Sequence, residues 1–299
     1  MKSKILLVGG SGYLGRHLAS ELDNDFNLTL TGTKVMDKSA YFQVDYQNPS
    51  TYQNLKNCHF EMIVLLASSL QGLGQNNLDN DCLAINVVKF ASFLQFISDE
   101  KLTQKVIYIS SMTVYAPQPK LPVDENGMLG PMSTYGLSKQ LAEQTVAFFA
   151  NQHQIKTLIL RLPGIYGGDR KAGYIYNTIL KALNNQAILI NTADLGYWEC
   201  IEIHDLCYAI KQLMINYDWK HKVSVLNIGY GERTDFIDTA KFIVNELKST
   251  STLSYEGERG YEDFFMDNAQ LLNLVDKKSS YFDSLRKYIT YLKDDIRNR

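Results

Sequence analysis

The chain has 299 residues, 45% of them apolar, which suits one large α/β domain or a main domain with a small appendage. Its formal charge of −2 and its scattered Lys and Arg provide no field that gathers polyanions, so nucleic acid is not an expected partner. Apolar runs fall short of the ~20 residues that span a bilayer, and the apolar stretch 5–8 is too brief for a secretory core, so no membrane partner is expected and the expected setting is cytoplasmic. Cys58, Cys82, Cys200 and Cys207 form no C-x-x-C pair and read as small apolar fillers in a reduced compartment, with no metal site.

In chain order, Lys4–Val8 reads as a strand, Tyr13–Leu22 as a helix and 28–31 as a second strand. Asn48-Pro49 opens a further helix, 62–66 is a buried strand, and a helix over about 81–98 leads to the strand 106–109. A helix over 134–150 and the strand 157–160 follow. These strands lack polar alternation, which marks burial on both faces. Strand–helix alternation of this kind builds a doubly wound parallel sheet. Beyond Arg161 the rhythm loosens. A helix near Tyr174–Leu183, strands at 187–190 and 200–203, a helix after the second of these, a strand at 225–228, a helix over 235–247 and a Tyr-rich helical tail appear in turn. The expected architecture is α/β: a Rossmann-like doubly wound parallel sheet over 1–162, and over 163–299 a smaller C-terminal α/β substrate-binding cap, some segments of which return to the main sheet.

Gly9-Gly10-Ser11-Gly12-Tyr13-Leu14-Gly15 follows the first strand directly and opens a helix. Glycines at this spacing allow a tight turn and close backbone approach to a pyrophosphate, whose charge sits on the helix N-terminus. An NAD site usually adds Asp or Glu at the end of the second strand to hold the ribose 2′-hydroxyl. Here that place reads Thr31-Gly32-Thr33-Lys34, with Asp37 beyond the strand end. Thr33 and Lys34 suit a 2′-phosphate better, so NADP is preferred to NAD.

Tyr135 and Lys139 stand four residues apart, on one face of a helix. A free tyrosine titrates near 10, so acid/base work at neutral pH needs a downward shift of roughly three units. A nearby ammonium and an oxidised nicotinamide favour the phenolate. The strand 106–109 runs into Ser110-Ser111 at its carboxyl end, where such sheets bind ligands, and Ser111 suits a hydrogen bond to a carbonyl or alkoxide.

Taken with Asp45, Leu65-Leu66-Ala67, Asn86-Val87, Ser110-Ser111-Met112-Thr113-Val114-Tyr115, Leu160-Arg161-Leu162-Pro163-Gly164-Ile165-Tyr166-Gly167, Ile203-His204-Asp205-Leu206 and Asn227-Ile228-Gly229, the pattern resembles the extended short-chain dehydrogenase/reductases, in their epimerase/dehydratase branch. The resemblance implies Tyr135 as acid/base, Lys139 as its electrostatic partner and ribose ligand, and Ser111 as partner of the substrate hydroxyl. It implies Asp45 and Tyr46 beside the adenine, Leu66, Ala67 and Pro163 along the cofactor, and Thr113 near the substrate. It further implies a nucleotide-sugar substrate and a homodimer.

Several residues depart from the family pattern. Met112 and Thr113 replace the Asp-Glu pair of the dehydratases, so 4,6-dehydration is not expected. Gly164 replaces the Asn of R-x-x-N, and Trp198 stands where many epimerases carry Arg. Arg170 and Arg259 remain as candidate substrate-phosphate ligands. The expected activity is that of an NAD(P)-dependent 4-ketoreductase or epimerase. The competing reading is a catalytically silent NAD(P)-binding regulator, against which the intact Ser111, Tyr135 and Lys139 argue.

Overall fold

The computed structural model describes residues 2–34, 40–71, 73, 77–118, 120–191, 198–257, 264–276 and 279–297. Strands β1 (Lys4–Val8), β2 (Asn27–Gly32), β3 (Tyr41–Gln43), β4 (Met62–Leu65), β5 (Lys105–Ser111), β6 (Lys156–Leu162) and β10 (Val223–Asn227) form one sheet in the order β10-β6-β5-β4-β1-β2-β3. Every pairing in it is parallel. This is the expected doubly wound fold, with its order reversing at β1.

Successive side chains along each strand enter opposite cores. Ile5, Leu7, Met62, Val64, Ile107, Ile109, Leu158 and Leu160 pack on one face, with α1 (Tyr13–Leu22), α5 (Tyr174–Leu183), α6 (Ile203–Asn216), α7 (Phe236–Leu247) and α9 (Tyr281–Arg297). Leu6, Val8, Ile63, Leu65, Val106, Tyr108 and Ile159 pack on the other. The helices on that side are α3 (Phe90–Asp99) and α4 (Thr134–His153).

Residues Asn80–Asp99 run as one helix through α2 (Asn80–Leu83), a π-helical segment Ala84–Lys89 and α3. This helix of 20 residues contains an 18-residue stretch of mean hydropathy 1.3, which by length and composition alone is enough to cross a membrane. Its Phe90, Phe93, Leu94 and Ile97 are buried against the sheet, the placement of a core helix.

Other corrections follow from local chemistry. Pro49–Leu55 winds as a 3-10 helix, capped by Asn48, where an ordinary helix is expected. Among the described residues after β6, the strand β10 joins the main sheet. β8 (Ile188–Asn191) pairs with β11 (Leu253–Glu256), and β7 (Gly164–Tyr166) with β9 (Cys200–Glu202). Ile188 and Ile190 are buried while Leu189 and Asn191 are exposed, the alternation of a sheet with one wet face.

One polar constellation crosses this apolar frame. Arg161, on β6, and Glu143, on α4, form a bidentate pair at 2.8 and 3.0 Å with side chains only 4% and 7% exposed. Ser110, from β5, donates to the same carboxylate. Arg161 Nη1 donates to the Tyr115 hydroxyl at 2.9 Å and to the Glu125 carbonyl at 3.0 Å. Tyr115 donates to Asn227 of β10 at 2.7 Å. Asn227 Nδ2 in turn donates to the Val123 carbonyl at 2.9 Å. Removing one partner of such a pair leaves a buried charge uncompensated, at about 3–5 kcal/mol. Glu143→Ala is therefore expected to lower unfolding free energy by about that amount in urea titration; a loss under about 1 kcal/mol would contradict this.

Candidate active site

A cavity of about 760 Å³ opens along the carboxyl ends of β1, β2, β4, β5 and β6, within the usual range for ligand clefts. The glycine turn forms one end. Gly9 has φ +90°, and a Cβ there would meet the Ala67 nitrogen at 2.8 Å. A Cβ on Gly15 would lie 2.3 Å from the Gly9 carbonyl, so glycine lets α1 press against β1. Gly12 is different: its Cβ would meet only that carbonyl, at 3.2 Å, so its role is toward the cavity. The N-terminus of α1 has no side-chain cap and no acidic residue in its first turn, and Gly12, Tyr13 and Leu14 line the cavity. Uncapped N–H groups and an unopposed helix dipole fit a pyrophosphate.

Asp45, Tyr46, Leu66, Ala67 and Pro163 border the same cavity. Asp45 accepts from the Gln47 amide at 2.9 Å. The Tyr46 ring is packed on Phe90 and Phe93, with its hydroxyl buried and without a hydrogen-bond partner among the described residues. At the end of β2, a Cβ on Gly32 would meet the Ser11 hydroxyl at 2.0 Å and the Tyr41 hydroxyl at 2.6 Å, so the glycine leaves room for both side chains. Thr33 lines the cavity, whereas Lys34 is exposed and outside its wall.

The same cavity gathers Ser111, Thr113, Tyr135 and Lys139, and Arg170 also lines it. Ser111 caps the 3-10 turn Met112–Val114, accepting from the Thr113 amide at 3.2 Å and the Thr113 hydroxyl at 3.0 Å. A turn cap and a cavity-lining hydroxyl are thus one residue. Ser133 caps α4, and Gly136 lets it approach: a Cβ there would lie 2.3 Å from the Thr113 carbonyl. Lys139, 2% exposed, donates to the Ile109 carbonyl at 2.8 Å and to the Tyr108 hydroxyl at 3.4 Å. Among the described residues that leaves one of its three N–H donors for a ligand. Its ammonium stands 5.8 Å from the Tyr135 ring centre.

Burial pushes the Lys139 ammonium down to about 8. It pushes the Tyr135 phenol up to about 12, against a smaller lowering from the Ser68 hydroxyl. In the chain alone, desolvation and the nearby Cys82 thus hold the phenol in its protonated form.

Arg170 donates to the Ile165 carbonyl at 3.0 Å and lies over the Tyr13 ring at 5.8 Å. Arg259 falls outside the described residues. The sequence reading missed Ser68, Gly136 and the aromatic wall of Tyr166, Tyr174, Tyr176 and Tyr288. A glycine inside a helix is a readable sign of close packing; scattered tyrosines carry no such sign.

Behind Trp198 and Cys200 lies Glu199, 2% exposed, with Oε2 accepting from the Met266 amide at 2.8 Å. Its Oε1 is buried without a hydrogen-bond partner among the described residues. Burial pushes this carboxyl from 4.5 up to about 8. Between those values the folded chain holds a proton that the unfolded chain has lost, so stability falls as pH rises through the window. Glu199→Gln is expected to flatten the decline measured by urea unfolding from pH 5 to 8; a variant keeping the wild-type slope would contradict this.

Comparison with known proteins places these features in context. The model of the family described as NAD dependent epimerase/dehydratase matches residues 5–229. A putative UDP-glucose 4-epimerase of Methanocaldococcus jannaschii is 25% identical, over 85% of this chain and 86% of its own length. A dTDP-4-dehydro-6-deoxyglucose reductase of Escherichia coli is 27% identical, over 82% and 83%. Among solved structures, MoeE5 in complex with UDP-glucose and NAD superposes with a TM-score of 0.82 at 19% identity, covering 98% of this chain and 99% of that one. The UDP-glucose 4-epimerase of Thermotoga maritima with UDP-glucose gives 0.82 at 20%, with the same coverage.

Proposed function

We propose that this chain, which belongs to the NAD dependent epimerase/dehydratase family, is an NAD(P)-dependent 4-ketoreductase or 4-epimerase of a nucleotide-activated sugar. The observation that carries the reading is the convergence of Ser111, Tyr135 and Lys139 on the cavity that the glycine turn bounds. The relatives support the class, since one is a putative UDP-glucose 4-epimerase and another a dTDP-4-dehydro-6-deoxyglucose reductase. The same reading carries a cytoplasmic homodimer.

A bound nicotinamide dinucleotide supplies the site of hydride gain or loss. The uncapped N-terminus of α1 would hold its pyrophosphate, and Lys139 would offer its remaining N–H to the ribose. Thr33 on the cavity wall, and no Asp or Glu among residues 31–34 to hold a ribose 2′-hydroxyl, favour NADP over NAD. In the reductive direction Tyr135 Oη gives its proton to the alkoxide oxygen at C4 of the sugar; in the oxidative direction it takes the hydroxyl proton. Ser111 donates to the same oxygen and fixes it beside the phenol. Among the described residues Ser111 Oγ accepts two bonds and donates none, so its own proton is available for this. Met112 and Thr113 offer no carboxylate pair for eliminating water.

Tyr135→Phe deletes one oxygen from a ring that stays packed. Turnover of an active member of a panel of 4-keto and 4-hydroxy sugar nucleotides, followed by NAD(P)H absorbance, is expected to fall by roughly 10²–10⁴. Lys139→Met is expected to lower it as well and to weaken dinucleotide binding, and the two losses are expected to be far from additive. A fully active Tyr135→Phe protein would refute the mechanism.

A further inference from the structure

After β7 the chain crosses the face of α1 on two glycines. Gly167 and Gly168 have φ +101° and +53°, and a Cβ on Gly168 would lie 2.6 Å from the His17 ring. Glycine therefore lets the strap 167–170 pass directly over that side chain. Side chains from the first two turns of α1 then fasten it. The Tyr13 hydroxyl donates to the Gly167 carbonyl at 2.9 Å. Arg16 Nη2 donates to both Asp169 oxygens, at 2.7 and 2.8 Å, and His17 Nε2 stands 3.0 Å from Asp169 Oδ1. Arg16 and His17 hold the Asp169 carboxyl down at about 2, so the latch stays charged across neutral pH.

Arg170 is the next residue. Its amide closes the turn on the Gly167 carbonyl at 3.3 Å, and the Tyr288 hydroxyl donates to its carbonyl at the same distance. Its Nη1 donates to the Ile165 carbonyl at 3.0 Å, and its guanidinium lies 5.8 Å from the centre of the Tyr13 ring. Tyr13 is the first residue of α1, and both side chains line the cavity. Arg16 and Lys171 each have a carboxylate partner, whereas Arg170 has none among the described residues.

Charge arithmetic gives that cation a use. A dinucleotide's diphosphate carries two negative charges, and a helix N-terminus offers about half a positive one. Among the described residues that line the cavity, the cationic side chains are Lys139 and Arg170. Lys139 is engaged by the Ile109 carbonyl, on the strand that leads to Ser111. Arg170 is fastened to the helix that opens at the glycine turn.

Taking the cavity as a dinucleotide site, we propose that Arg170 is a ligand of the cofactor's diphosphate and Asp169 its positioning residue, latching the strap to α1. The sequence expectation gave Arg170 to the substrate's phosphate; its attachments join it to the cofactor's helix instead.

The test titrates the dinucleotide-free full chain with NADP⁺ and with NAD⁺ by calorimetry. Both side chains are exposed, so the variants are expected to fold. Arg170→Ala is expected to weaken both dinucleotides by about tenfold or more, the worth of one charge-assisted hydrogen bond, because the diphosphate is common to them. Arg170→Lys, which keeps the charge, is expected to recover part of the loss. Asp169→Ala is expected to weaken both as well, and to add little in the Arg170→Ala background, since it acts through Arg170. Unchanged dinucleotide affinity in Arg170→Ala would overturn the proposal, and a raised KM for the sugar nucleotide beside it would return Arg170 to the substrate. A loss confined to NADP⁺ would overturn it too, by putting Arg170 on the 2′-phosphate. Fully additive losses would remove Asp169 from its role. A wild-type chain that binds neither dinucleotide would refute the reading of the cavity itself, and the proposal with it.

Discussion

Arg161 and Glu143 meet where β6 ends against α4, both nearly withdrawn from water. A guanidinium in that place needs hydrogen-bond partners for its five N–H donors, and four bonds meet them from several elements. Glu143 takes two, while Tyr115 and the Glu125 carbonyl share a third side. The consequence for α4 is positional. Glu143 is one turn beyond Lys139 and two beyond Tyr135, so anchoring its carboxylate to β6 and to Ser110 of β5 fixes the rotation of the helix that presents both groups. Asn227 extends the same network to β10, the strand that returns from the later half of the chain. The pair's net worth to stability is modest beside its geometric effect, since desolvation offsets most of its attraction.

From that anchor the site assembles by close approach. Gly136 lets α4 lie on the turn 112–114, which brings Ser111 and Thr113 to the phenol's end of the cavity. Gly15 does the same for α1 on β1, and leaves the helix N-terminus bare toward the other end. Two kinds of polar group thus face one cleft: backbone donors suited to phosphate, and a hydroxyl, phenol and ammonium suited to a carbon–oxygen centre. The family relationship makes that division intelligible, because a nicotinamide dinucleotide spans both needs.

Much of this was legible in the chain itself. The apolar runs that become β1, β4, β5 and β6 had no polar alternation, and a strand covered on both faces has no other reading. The glycine turn announced its own conformation. Of the residues singled out for the site, those that are described all border the cavity except Lys34. What stayed hidden depends on distance in sequence. Glu143 and Arg161 look like ordinary charges until the fold joins them, and Asn86 shows its hold on Ser69 only once the chain is folded. The strands β7 and β11 are too short, and β11 too exposed, to mark themselves by hydrophobicity. Helix spacing reports that an ammonium is near Tyr135 and says nothing of how dry both groups are, so the upward push of burial on the phenol of the chain alone was not legible.

The central claim is that the glycine-turn cavity holds a nicotinamide dinucleotide, with the 2′-phosphate form favoured. The most direct measurement is mass spectrometry of the small molecules released when the purified chain is denatured, with calorimetric titration of NADP⁺ and NAD⁺ into whatever fraction is free. The account predicts a released or bound dinucleotide, with NADP⁺ held more tightly than NAD⁺. No dinucleotide released and no heat of binding from either would contradict it, and tighter binding of NAD⁺ would overturn the cofactor preference alone.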